Sequence, residues 1–268
     1  MLKPHLNSEG KPAIPLTEEE RYQFDTKGWL ALPAVLTPEE AAEMRDFCYR
    51  LRNDPASIPS AERSSIGGPL LSLTDHPRIV GFMNEFVSHQ YIASDASYGF
   101  RFEGSFLAIR ANGDTNFRPH GGSGYFNFPG NSHVYRTLPG KIHSGLTRAV
   151  WELNPVKHRK GGTLFLSGSH KAAYPAPEST ENEDSPLWET YECPAGSLLF
   201  FTEAICHSGA LWTDAENDRV AVFNCYNTVN EKWHNWNPNP ELLEAMPPLR
   251  QSLFRGVYCQ DNVLSVEG

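Results

Sequence analysis

From about Tyr98 onward the chain breaks into short apolar runs separated by clusters of Gly, Pro, Asn and Asp. The runs are Arg101–Arg110, Lys141–Asn154, Thr163–Ser167, Ser197–Thr202 and Arg219–Thr228. Segments of this length and composition, bounded by turn residues, read as strands. Before them the signals are helical. Thr17 with Glu20, and Thr37 with Pro38 and Glu40, are capping boxes, each a Thr N-cap answered by Glu at N3. The first opens a short helix to about Thr26. The second opens a longer one, with Ala41, Met44, Phe47, Cys48 and Leu51 at helical spacing. Gly28–Pro33 between them reads as a strand, and 78–92 as a further helix. Helices first and short strands after predict an α+β chain, mainly β, whose second half is a sandwich or jelly-roll barrel. One domain over 1–268 is expected: an extended lead-in at 1–16, a mainly helical part at 17–97, a jelly-roll core at 98–228 and a C-terminal cover at 229–268. Turn-rich 53–68 is a candidate surface or lid loop.

The charge balance narrows the partners. With 23 basic and 32 acidic residues the net charge is −9. This argues against a nucleic-acid polymer or an anionic membrane, whose binding needs clustered Lys and Arg. A small-molecule substrate, even an anionic one, stays open because a local pocket can oppose the global sign. Five cysteines without a CxxC pair fit a reducing compartment rather than a disulfide scaffold. The N-terminus has no apolar h-region, and no apolar run reaches membrane length. A cytoplasmic location is the expectation.

Two of the ten histidines have surroundings that agree. His120, in Arg118-Pro119-His120-Gly121-Gly122-Ser123-Gly124, and His207, in Glu203-Ala204-Ile205-Cys206-His207-Ser208-Gly209, each follow a strand-like run and stand near glycine. Imidazole suits iron, and a site with few protein ligands leaves positions open for co-substrate and oxygen. His5, His76, His89, His158 and His234 lack such a context. Arg219 lies twelve residues after His207, at the start of the next apolar run.

These segments resemble the phytanoyl-CoA dioxygenase family of Fe(II)/2-oxoglutarate-dependent oxygenases. Gly161-Gly162-Thr163-Leu164-Phe165-Leu166-Ser167-Gly168-Ser169-His170-Lys171 is similar to that family's strand-and-turn signature, with Ser167 where proline is usual. Pro194–Phe201 resembles the strand leading to the distal histidine, Asp218-Arg219 matches the oxoglutarate arginine, and the likeness extends back to Gly28–Glu40, covering about 17–228. The resemblance implies a double-stranded β-helix (cupin-like jelly roll) and the cofactors Fe(II), 2-oxoglutarate and O2. It implies His120 and His207 as metal ligands, and Arg219, Trp151 and Ser208 as co-substrate contacts. Trp151 reads equally well as a core aromatic, and His170 belongs to the turn rather than to the metal.

The departure is at Gly122, where the family's metal-binding aspartate stands. A small residue there resembles the aliphatic halogenases of the superfamily, in which chloride takes the vacated position. Three readings follow: a halogenase-like oxidation of an unactivated C–H bond in a small metabolite, with Gly122 at the halide position; a hydroxylase whose carboxylate ligand is Glu203 or Asp114, or whose position holds water; and a non-catalytic small-molecule-binding jelly roll. Glu203 shares a face with His207 if the strand between them is continuous. The aromatic stretch 125–136 reads either as a substrate lid or as a packed surface loop.

Overall fold

The computed structural model of the chain describes residues 2–121 and 133–257. Both capping boxes form. Thr17 and Glu20 exchange hydrogen bonds at the start of α1 (Glu18–Lys27), as do Thr37 and Glu40 at the start of α2 (Pro38–Asn53). In each, one side chain satisfies a backbone N–H that the first helical turn leaves without a partner. A third helix, α3 (Pro77–Phe86), starts at His76, whose Nδ1 accepts from the Arg78 N–H at 3.2 Å. The 53–68 stretch holds tight 3-10 turns at Pro55–Ser57 and Ser60–Glu62.

Among the described residues the strands are, in chain order, β1 (Trp29–Leu32), β2 (Phe100–Arg110), β3 (Tyr135–Leu138), β4 (Lys141–Ser144), β5 (Thr147–Glu152), β6 (Thr163–Phe165), β7 (Ser197–Thr202), β8 (His207–Gly209) and β9 (Arg219–Thr228). The expected single run at Lys141–Asn154 is two strands, because Gly145 and Leu146 turn the chain between β4 and β5. Strand β3, which pairs with β4, begins in the last two residues of the 125–136 stretch read as lid or loop and runs on beyond it. The main sheet has the order β1-β7-β5-β9-β2, antiparallel throughout, and a small sheet pairs β6 with β8. Two short helices, α4 (Pro240–Glu244) and α5 (Pro248–Gln251), come after β9.

The main sheet is buried on both faces, so its strands carry almost unbroken apolar runs; every residue of β7 and of β9 is buried. The two-residue period still sorts them. Leu30, Leu32, Trp151, Leu198, Phe200, Val220 and Val222 pack with the helices, where Phe200 stacks on Phe82 of α3 at 3.9 Å between ring centroids. Trp29, Val150, Leu199, Phe201, Ala221 and Phe223 face the other way, against Phe165 of the small sheet and Trp212. Full burial of such a side chain stabilises the fold by about 1.5–3 kcal/mol. The result is a helix layer, a main sheet and a small sheet in a jelly roll, with the functional cavity between the two sheets. Among the described residues no helix is long and apolar enough to cross a membrane.

Two buried histidines couple this packing to pH. His76, edge-on to Trp151, and His170, against the Asp25 carbonyl, are both pushed down to about 4 by burial. Each takes up a proton on unfolding between that value and about 6.5. Their contribution is therefore complete above the unfolded value and is lost as pH falls toward the folded one. The melting temperature is expected to fall steadily from pH 7 to pH 4.5, and a flat profile over that window would contradict the burial of both rings as neutral imidazoles.

Candidate metal centre

The His120 and His207 segments meet as an antiparallel bridge. The His120 N–H donates to the His207 carbonyl at 3.1 Å, and the His207 N–H to the His120 carbonyl at 2.8 Å. The two rings lie 4.2 Å apart between centroids. Each ring is held by a hydrogen bond to a carbonyl two residues upstream: His120 Nδ1 at 2.7 Å from the Arg118 oxygen, His207 Nδ1 at 2.9 Å from the Ile205 oxygen. A carbonyl only accepts, so Nδ1 carries the proton in both rings and Nε2 keeps its lone pair for a metal. Burial pushes His207 down to about 4 against the pull of Glu203, so it is neutral at physiological pH. His207 opens the short strand β8, after the turn that follows β7.

Glu203 completes the cluster. A ligand atom from each of His120, Glu203 and His207 lies within 4.8 Å of the other two. The chain between Glu203 and His207 is not a continuous strand; β7 ends at Thr202 and a turn follows. That turn, rather than a shared strand face, brings Glu203 Oε2 to 3.7 Å from His207 Nε2. Its other oxygen is held by Arg148 of β5. Burial opposes the charge on Glu203, but Arg148 and then His207 outweigh it and hold the carboxyl at about 2. Two imidazole nitrogens and one ionised carboxylate oxygen are the donor set of a non-haem Fe(II) site with open positions. The protonation state of His207 and Glu203 suits a divalent cation without adjustment.

Asp114 does not join them. It is exposed in the turn after β2, where its carboxylate accepts from the Ala111 N–H at 2.8 Å. Gly122 lies outside the described residues, as does most of the 125–136 stretch; Tyr135 and Arg136 at its end begin β3. Trp151 is a correction. It is fully buried on the helix side of the main sheet, away from the cavity. On β5 Arg148 lines the cavity, and the period of two puts Val150 and Glu152 on the same face of the sheet and Trp151 on the opposite one. Ser208 does line the cavity. Its hydroxyl accepts from the Arg118 N–H at 2.7 Å and so ties down the loop whose carbonyl orients His120.

Arg219 is buried beside Glu152, with Nη2 at 2.5 Å from Oε1 and Nε at 3.3 Å from Oε2. Thr163 and Tyr191 accept from the same Nη2 at 3.2 and 3.1 Å. Among the described residues its buried Nη1 has no hydrogen-bond partner. An orphaned guanidinium nitrogen in a cavity wall is what an anionic co-substrate would satisfy. Arg110, Arg148 and Glu152 were missed by the sequence reading, although charges within otherwise apolar strand runs were a signal that those positions face a polar cavity.

Gly121 is fixed by the metal loop's close approach to the turn after β7. Its φ is 77°, and a Cβ there would stand 2.4 Å from the Ile205 oxygen and 2.9 Å from the Glu203 oxygen. Gly121→Ala is expected to cost about 1–3 kcal/mol in backbone strain, and to weaken Fe(II) binding by displacing His120 from Glu203. Wild-type metal affinity in this variant, measured by Fe(II) titration, would show that the loop has room to give.

A jelly roll with two histidines and a carboxylate at one cavity and a buried arginine farther in defines a class, the non-haem iron oxygenases. The family model for phytanoyl-CoA dioxygenase (PhyH) matches residues 24–213, and the chain belongs to this family of Fe(II)- and 2-oxoglutarate-dependent enzymes. Among curated proteins none matches the chain by sequence. Among solved structures, apo HygX from Streptomyces hygroscopicus is 21% identical, with 82% of this chain and 90% of that one covered and a TM-score of 0.65. HygX with nickel, 2-oxoglutarate and hygromycin B bound is 20% identical, with 82% and 90% covered and a TM-score of 0.64. The non-heme alpha ketoglutarate dependent carbocyclase SnoK from nogalamycin biosynthesis is 17% identical, with 92% and 95% covered and a TM-score of 0.57. At these identities the likeness is one of fold.

Proposed function

We propose that the chain is a hydroxylase-type Fe(II)/2-oxoglutarate oxygenase of a small metabolite, with Glu203 in the role of the missing aspartate. The observation that carries this reading is the gathering of His120, Glu203 and His207 ligand atoms within 4.8 Å. Iron with 2-oxoglutarate and O2 supplies the oxidising power for an unactivated C–H bond, releasing succinate and carbon dioxide. The protein's own part is positional. The His120 and His207 Nε2 atoms and Glu203 Oε2 hold the metal, Arg148 fixes the carboxylate, and Ser208 fixes the His120 loop. The exposed ring of Phe106, stacked on Phe223 at 4.6 Å, offers an apolar wall at the cavity mouth for a substrate. HygX is crystallised with hygromycin B and SnoN with nogalamycin RO, which supports a small-metabolite substrate for this chain too.

The halogenase reading keeps one observation, the His-x-Gly sequence at His120–Gly122. With Glu203 as ligand the iron has its carboxylate and no charge deficit for chloride to fill. The test of catalysis is succinate formation from 2-oxoglutarate by the purified protein in air. Succinate should form only with Fe(II) present and should be abolished in His207→Ala. A protein that binds Fe(II) and 2-oxoglutarate yet forms no succinate under any of a panel of small metabolites would be the non-catalytic binding module instead.

A further inference from the structure

We infer that Arg110 joins Arg219 in gripping the far carboxylate of the co-substrate, and that Arg110 supplies the uncompensated positive charge. The inference rests on the oxygenase reading above and concerns which residue carries the charge. Arg110 ends β2 directly opposite Arg219 of β9, and both line the cavity that holds the metal cluster. Their situations differ. Arg219 has a carboxylate of its own: Glu152 takes bonds from both Nε and Nη2, so the buried pair is neutral as a unit. Arg110 has none. Its Nη1 is buried without a hydrogen-bond partner, and among the described residues no carboxylate lies within ion-pair distance of it.

The one acid close by in sequence, Asp114, spends its carboxylate on the Ala111 N–H. Burial, and then the charge of Arg219, pull the Arg110 pKa down, as expected for a guanidinium without a counter-ion. It nevertheless stays charged, because an arginine in a protein does not give up its proton. Gly209 keeps the space in front of it open, since a Cβ there would stand 2.7 Å from Arg110 Nη1. Arg110 and Arg219 thus line one cavity from paired strands, and among the described residues each has a buried Nη1 without a hydrogen-bond partner. They suit the two oxygens of a single carboxylate, and only Arg110 brings an uncompensated positive charge to it.

The test compares wild type with Arg110→Gln and Arg110→Lys, each loaded with Mn(II) in place of Fe(II), by isothermal titration. The ligands are 2-oxoglutarate and 2-oxobutyrate, which has the same 2-oxo acid head but no far carboxylate. Wild type should prefer 2-oxoglutarate. Arg110→Gln should bind 2-oxoglutarate about 10- to 100-fold more weakly while 2-oxobutyrate changes by less than about threefold, the pattern of a lost charge-assisted contact to one end of the ligand. Arg110→Lys should recover part of the loss. Mn(II) alone should bind all three proteins alike, which reports an intact fold. The inference is overturned if Arg110→Gln keeps the wild-type preference, or if both acids weaken equally. Wild type that takes up Mn(II) but neither acid would instead sink the oxygenase reading itself, and the inference with it.

Discussion

Glu203→Gln is expected to weaken Fe(II) binding by more than about 100-fold and to abolish succinate formation. The glutamine keeps an oxygen to accept from Arg148 and so preserves the turn, but it removes the negative charge and the anionic ligand together. Arg148→Gln should do less, within the roughly 10–100-fold range typical of residues that orient a metal ligand. The order of the two effects is the informative part. If Arg148→Gln is the more damaging, Glu203 is the partner of a structural ion pair and not a ligand. Glu203→Ala carries the same logic one step further: it opens a coordination position, and sensitivity to chloride absent from wild type should then emerge.

The second large effect is on stability. Arg219→Gln leaves Glu152 buried beside Tyr191 with its cation gone. Breaking one side of a buried pair costs about 3–5 kcal/mol. For a chain of this size that corresponds to a fall of roughly 6–20 °C in melting temperature. The double variant Arg219→Gln with Glu152→Gln should recover much of it, because the two side chains are one electrostatic unit. A single variant that melts within about 2 °C of wild type would contradict the buried pair. Co-substrate affinity in Arg219→Gln is therefore to be read on folded protein at low temperature, where loss of binding and loss of fold separate.

Much of this was legible in the residues. The capping boxes at Thr17 and Thr37 fixed two helix starts because they depend on local hydrogen bonds alone. The strand runs were legible from turn residues at their ends. The two histidines and the family signature singled out the pair whose rings the fold brings to 4.2 Å. What failed did so for a common physical reason. A sheet buried on both faces carries apolar residues at every position, so hydrophobicity does not say which face a residue takes. Trp151 was open between a cavity role, on resemblance, and a core aromatic, and the phase of β5 puts it among the helices; Arg148 and Glu152, charges in a buried strand, held that phase information. Arg110 was missed because a charge at a strand end usually marks the exit to solvent. Glu203 was offered as a ligand candidate on a shared strand face with His207, but a turn brings the two together, and proximity across a turn leaves no periodic trace.

Whether Glu203 gives the iron its carboxylate is decided by an anaerobic titration. Apo-protein is titrated with Fe(II) and then 2-oxoglutarate, with and without chloride, and the visible charge-transfer band of the iron–oxoglutarate chelate is followed. The position and 2-oxoglutarate dependence of the band should be the same with and without chloride in wild type, and chloride-dependent in Glu203→Ala. A wild-type band that shifts with chloride, or 2-oxoglutarate binding that chloride tightens, would mean that a halide occupies the position assigned to Glu203.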